Sequence, residues 1–179
     1  MSTLTAKGTV IKAGISEIQV AGFKSIIEEQ SIELKPLTML AGANSSGKSS
    51  MMQPLLLLKQ TLEAPYDAGP VFLNGPIMKF TLADQLFSRT AKGQSSGNFV
   101  LSMRLSSGDS FQTRFRKEHK HGLGIEQTDI NWEGKEFSYW PEMSHDEIIK
   151  AFLANGIDLS AVVPQPFKEG RWEIKRDRC

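Results

Sequence analysis

The sequence predicts an α/β fold in which a phosphate-binding-loop (P-loop) lobe carries an antiparallel β subdomain, and three observations predict it. Leu37 to Ala41 is an almost uninterrupted apolar run, the pattern of a strand buried on both faces. That run leads straight into Gly42-Ala43-Asn44-Ser45-Ser46-Gly47-Lys48-Ser49, which matches G-x-x-x-x-G-K-[ST], and a helix is expected from Gly47 to about Glu63. From Asn98 the apolar residues change to period two, as in strands with one face in a core.

Taken in order, residues 1–14 are expected to form an N-terminal extension, with Lys7 and Lys12 but no apolar run of the kind a secretory signal carries. Ile18 and Val20 then alternate with Glu17, Gln19 and Ala21, which predicts a half-buried strand ended by Gly22. Ser31 to Leu34 reads as a second short strand, punctuated by Pro36. Within the helix, Pro54 removes a backbone donor and crowds the preceding turn, so a kink or a restart is expected. Leu55 to Leu58 cover every side of that helix, as expected where it is sandwiched between a sheet and another layer. Pro65 to Pro76 is rich in turn residues and reads as a crossing between layers. Phe80 to Phe87 reads as a helical turn packing Leu82, Leu86 and Phe87. These elements make up a P-loop core over 15–97.

The expected β subdomain covers 98–140. Phe99, Leu101, Met103 and Leu105 point one way, Ser107-Gly108-Asp109 turns the chain, and Phe111, Thr113 and Phe115 return, which predicts a hairpin. Ile125 to Trp132, Glu133-Gly134 and Lys135 to Tyr139 predict another. Over 141–179, Ser144-His145-Asp146-Glu147 is a capping box opening a helix that stops at Asn155-Gly156. Pro164 and Pro166 then break the chain, and Arg171 to Cys179 is charged and strand-like.

The loop is the chemically informative feature. A triphosphate needs several hydrogen-bond donors converging at short range, and side chains obstruct that approach. Gly42 and Gly47 tolerate the backbone angles required. The N–H groups from about Asn44 to Lys48 then form an anion-binding nest, and the following helix presents its positive end to the same phosphates. Lys48 is expected to reach the β- and γ-phosphates, and the Ser49 hydroxyl to ligate Mg²⁺. Ser45 and Ser46 complete the candidate loop.

Composition narrows the remaining classes. At 179 residues, with 40% hydrophobic residues, the chain is one domain or a piece of a larger one with a core to bury. Its formal net charge of +1 supplies no global pull toward nucleic acid or membrane. The concentrated basic patch is Arg114, Arg116, Lys117, His119, Lys120 and His121, suited either to a phosphate backbone such as DNA or to a solvated strand end. The spacing of Glu118, His119 and His121 matches no established metal site. The lone Cys179 cannot close an internal disulfide, no apolar stretch is long enough to span a membrane, and a cytoplasmic location is expected.

Phe23-Lys24-Ser25 after a first strand, a second strand, and then Leu40 through Ser50 resemble the N-terminal lobe of ABC-type ATPases of the SMC, RecF and OLD-nuclease kind, and bacterial AAA family ATPases of that group, several of them in antiviral defence. The likeness covers mainly Ile15 to Leu62. It implies an ABC-ATPase type of P-loop lobe that binds ATP and Mg²⁺, with two heads sandwiching two nucleotides. Carried over, Gly42, Asn44, Gly47 and Lys48 hold phosphate, Lys48 is the catalytic cation, Ser49 holds the metal, and Ser50 contacts the α-phosphate. Lys24 takes the place of a basic residue near the nucleotide, or is a solvent-exposed lysine. Gln85, beside Asp84, takes the place of a nucleotide-sensing glutamine, or belongs to an ordinary helical turn.

Departures from the family pattern are equally specific. Hydrolysis in the family this resembles needs a Walker B strand ending in Asp-Glu, a signature motif and a switch histidine. Asp129, Asp146 and Asp158 follow no four-residue apolar run, and no Leu-Ser-Gly-Gly-like string occurs. The chain therefore reads as the nucleotide-binding portion of an ATPase, completed by a second head or another chain and driving a DNA-directed or defence effector. The alternative is a non-catalytic module in which ATP binding regulates assembly with a partner. A P-loop kinase or GTPase fits less well, since the Asn-Lys-x-Asp guanine motif is missing.

Overall fold

A computed structural model of the chain describes residues 3–4, 10–11, 14–44, 46–66, 69–118 and 122–156. Strands β1 (Thr3–Leu4) and β2 (Val10–Ile11) pair as a short antiparallel ribbon. The period-two stretches then become one sheet. Strands β3 (Ile15–Ala21), β4 (Gln30–Glu33), β5 (Asn98–Leu105), β6 (Ser110–Lys117), β7 (Leu123–Trp132) and β8 (Lys135–Tyr139) lie in the order β4-β3-β5-β6-β7-β8. Every neighbouring pair is antiparallel. Val20 faces Leu101 across the β3–β5 pair, so residues on both sides of position 98 share this sheet.

This architecture corrects the predicted fold class. An α/β P-loop lobe, of the ABC-ATPase type by resemblance, is built on a parallel sheet. The described residues instead form a six-stranded antiparallel sheet with only two α-helices. The decisive segment is the apolar run before the loop. Leu37, Met39 and Leu40 are 79%, 83% and 40% exposed, and the run is not a strand. No hydrogen bond among the described residues reaches the backbone of Met39, Leu40 or Ala41. A strand buried on both faces needs neighbours at both edges and a layer on each side. Here β3 is already paired with β4 on one edge and β5 on the other, and β4 is a mostly exposed edge of four residues. Apolar composition expressed a demand for burial that this sheet does not meet.

The local predictions nearer to turns and caps hold. The first hairpin pairs Phe99 with Phe115 and Leu101 with Thr113. The second turns on Glu133 (φ 51°) and Gly134 (φ 75°), the two left-handed residues of a two-residue turn whose twist suits a hairpin. Helix α1 (Lys48–Leu62) runs unbroken through Pro54, and the proline ring is buried. Helix α2 (His145–Ala154) starts at Ser144, whose hydroxyl accepts from the Glu147 N–H while Glu147 accepts from the Ser144 N–H. Phe152 of α2 meets Phe137 of β8 at 4.4 Å between ring centroids.

One face of the sheet carries the core. Ile18, Val20, Phe99, Leu101 and Phe115 pack with Met51 and Leu57 of α1 and with Phe80, Ala83, Leu86 and Phe87. Phe99 is the hub, stacked on Phe115 at 4.6 Å and edge-on to Phe23 at 5.3 Å and Phe87 at 5.9 Å. The helical turn expected over 80–87 is a single 3₁₀ turn, Ala83–Gln85, with Leu82 outside and Leu86 and Phe87 inside. No helix of the described residues is long and apolar enough to cross a membrane.

Candidate functional site

Residues 42–44 and 46–50 lead into α1 with Gly42 and Gly47 both at positive φ, although the strand expected before them is absent. Gly47 is the N-cap of α1 at φ 90°, a conformation that L side chains avoid. Having no side chain, it leaves the cap position without an acceptor, and the first turn of α1 contains no acidic residue. The first intrahelical bond runs from the Met51 N–H to the Gly47 carbonyl at 3.0 Å. Among the described residues no hydrogen bond reaches the N–H groups of Lys48, Ser49 or Ser50, at the positive end of a 15-residue helix.

Lys24, Ser25, Asn44, Ser46, Gly47, Lys48, Ser49 and Ser50 line a cleft of about 390 Å³. That volume lies within the range of small-molecule sites, roughly 300–1,000 Å³. The Lys48 ammonium donates to the carbonyls of Gly42 at 2.7 Å and Ala43 at 2.6 Å, and to Ser46 Oγ at 3.4 Å. Lys24 Nζ donates to Gln53 Oε1 at 3.0 Å and stands 4.9 Å from the centroid of the Phe80 ring. Ser25 Oγ donates to Ser50 Oγ at 3.0 Å.

The tight turn 22–26 sets Lys24 in place. Its backbone takes φ 51°, unusual for a residue with a side chain, and its N–H donates to the Leu86 carbonyl at 2.8 Å. Lys24 is half-buried and lines the same cleft as the loop residues. Ser25 also lines the cleft and Gln53 holds the Lys24 ammonium, and neither was a candidate from the sequence. Gln53 carried no signal of its own, whereas Ser25 stood within the Phe-Lys-Ser string.

Other candidates fall elsewhere. Gln85 Oε1 accepts from the N–H groups of Thr81 and Leu82, capping its own turn, and Gln85 does not line the cleft. Asp84 instead pairs with Lys117 at 2.9 Å. In the basic patch, Arg116 meets Glu142 at 3.1 Å and Arg114 meets Glu126 at 4.0 Å, so its three described cations all face carboxylates. His119, Lys120 and His121, like the loop residue Ser45 and the segment 157–179, lie outside the described residues.

Hollows on the opposite, polar face of the sheet are occupied by their own hydrogen bonds. Ser102 donates to Gln112, Gln112 donates to Asp129, and Gln127 and Ser138 also donate to Asp129. Burial raises the Asp129 carboxyl, but these hydrogen bonds, with the nearby Arg114 charge, outweigh it and hold the group below the ordinary aspartate value.

For phosphate, the lining fits: it holds the first residues of α1, two lysines and four serines. For Mg²⁺, the donor set does not fit, because such a site is usually fixed by one or two carboxylates in addition to phosphate oxygens. Ser49 supplies one hydroxyl, and no carboxylate is among the residues lining the cleft. No group of three His, Cys, Asp or Glu among the described residues is placed to hold a metal ion. No known family model matches this chain, and no curated protein shows significant similarity to it.

Proposed function

We propose that this chain is a non-catalytic ATP-binding module, whose loop 42–50 holds the phosphates and whose occupancy regulates assembly with a partner. The single observation that carries the reading is the cleft itself, lined by two lysines and the first residues of α1. Hydrolysis of the γ-phosphate requires a group that orients or deprotonates water, together with cations on the developing charge. Lys48 can supply the latter, and no lining residue is an evident base. Turnover then depends on a carboxylate brought by another head or chain. A cytoplasmic location accords with an ATP ligand and a single cysteine.

Lys48→Ala is expected to abolish ATP binding in calorimetry while leaving the thermal melt of the apoprotein unchanged, since the ammonium touches only its own loop. The purified chain is expected to release no phosphate from ATP on its own. Unchanged affinity in the variant would refute the site, and turnover by the isolated chain would refute the regulatory role.

A further inference from the structure

The cleft has an unusual charge balance, and the inference drawn from it rests on the nucleotide-binding reading above. Two cations line it and no carboxylate does. Lys24 and Lys48 come from different segments and both line the cleft. Both ammonium groups are held by neutral oxygens, the Gln53 amide for one and the Gly42 and Ala43 carbonyls for the other. Contrast the surface cations Lys59, Arg104, Arg116 and Lys117, each of which faces a carboxylate.

Exchanging a neutral acceptor for an anionic phosphate oxygen strengthens an ammonium hydrogen bond, because charge-assisted pairs are roughly twice as strong as neutral ones. Both lysines therefore gain on anion entry without first giving up an ion pair. A divalent cation placed in the same cleft has the opposite balance. It would lie among two ammonium groups with a single expected protein ligand, the Ser49 hydroxyl, and with no carboxylate to offset the repulsion.

We propose that this chain binds the polyphosphate of ATP without a divalent cation, Lys24 and Lys48 supplying the positive charge that Mg²⁺ supplies elsewhere. Gln53 acts as a positioning residue that keeps the Lys24 ammonium on the cleft wall. No bond is made or broken in the process, which is an equilibrium of binding.

The test is calorimetric titration of ATP into the full chain in EDTA and, at matched ionic strength, in MgCl₂. Affinities in the two buffers are expected to agree within about threefold, less than 1 kcal/mol. Lys24→Gln is expected to weaken binding in EDTA by on the order of tenfold or more, the worth of one charged hydrogen bond, and Lys24→Arg to retain it. A thermal melt of each variant confirms that the fold is intact. Should ATP bind in MgCl₂ but at least tenfold more weakly in EDTA, the metal-free mode is overturned and the nucleotide site stands. Should ATP bind in neither buffer, the site itself is overturned, and this proposal with it. Lys24→Gln binding like the unaltered chain in EDTA would also overturn the role assigned to Lys24.

Discussion

At the scale of single residues, side chains of the same type take unlike roles according to what surrounds them. Gln53 and Gln60 both belong to α1. Gln53 holds Lys24, whereas Gln60 is only 2% exposed and satisfies the crossing segment from inside. Its Oε1 accepts from the N–H groups of Ile77 at 3.2 Å and Met78 at 2.7 Å, and its Nε2 donates to the Phe72 and Met78 carbonyls. All four of its hydrogen-bonding positions are used. Gly75 passes so close that a β-carbon there would lie 2.6 Å from the Gln60 amide carbon. Gln60→Leu keeps the volume and strands the Ile77 and Met78 N–H groups and the Phe72 carbonyl, while the Met78 carbonyl still accepts from the Gly75 N–H. At about 1–3 kcal/mol for a buried group left unpaired, partly relieved by water entry, the variant is expected to lose on the order of 3 kcal/mol in urea denaturation. A loss below 1 kcal/mol would mean that the 71–78 segment does not depend on this amide. None of this was legible beforehand, because a glutamine between lysine and threonine in a helical pattern looks like a solvent-facing residue.

Among the elements, the polar face of the sheet contains the clearest pH-dependent group. Asp129 sits on β7 and draws hydrogen bonds from β6 and β8 as well as from its own strand. Its folded-state pKa lies below the ordinary value, so the unfolded chain binds the proton more readily. The stability it contributes is present above the unfolded value, near 3.9, and is lost as the pH falls through the lower folded value. Asp129→Asn should therefore be less stable than the unaltered chain at neutral pH, with the gap narrowing below about pH 4. Chemical denaturation across that range checks it; a gap independent of pH would show that the carboxylate charge does not matter. Sequence reading found this strand pair and its turn, since alternation and the Glu-Gly dipeptide are local signals. It did not find the network, which depends on Gln112, Asp129 and Ser138 being brought side by side by pairing.

For the molecule as a whole, the core is a layer between one sheet face and α1 with the 71–87 segment, and Phe99 touches three other rings in it. Phe99→Ala is expected to destabilise the fold by about 3–5 kcal/mol, from lost burial plus the cavity left behind. Because that is a large share of the stability of a typical domain, Phe99→Leu serves as the milder companion and should show a smaller loss of the same sign. Equal stability of Phe99→Ala and the unaltered chain in equilibrium unfolding would displace Phe99 from the centre of the core.

By itself the sequence determined what neighbours a few positions apart can settle. The Gly47-to-Leu62 junction of loop and helix, the turns at 106–109 and 133–134, and the Ser144–Glu147 cap all depend on backbone freedom and short-range hydrogen bonds. Tertiary structure alone decided the rest. The sheet became antiparallel and continuous across position 98, Leu37 to Ala41 was left without a partner strand among the described residues, and Lys24 was brought to the same cleft as Lys48. The physical reason is that an apolar run or a lysine carries a demand, for burial or for a counter-charge, without specifying which distant segment meets it. Strand pairing and packing between residues far apart in the chain answer that demand, and no local pattern encodes the answer.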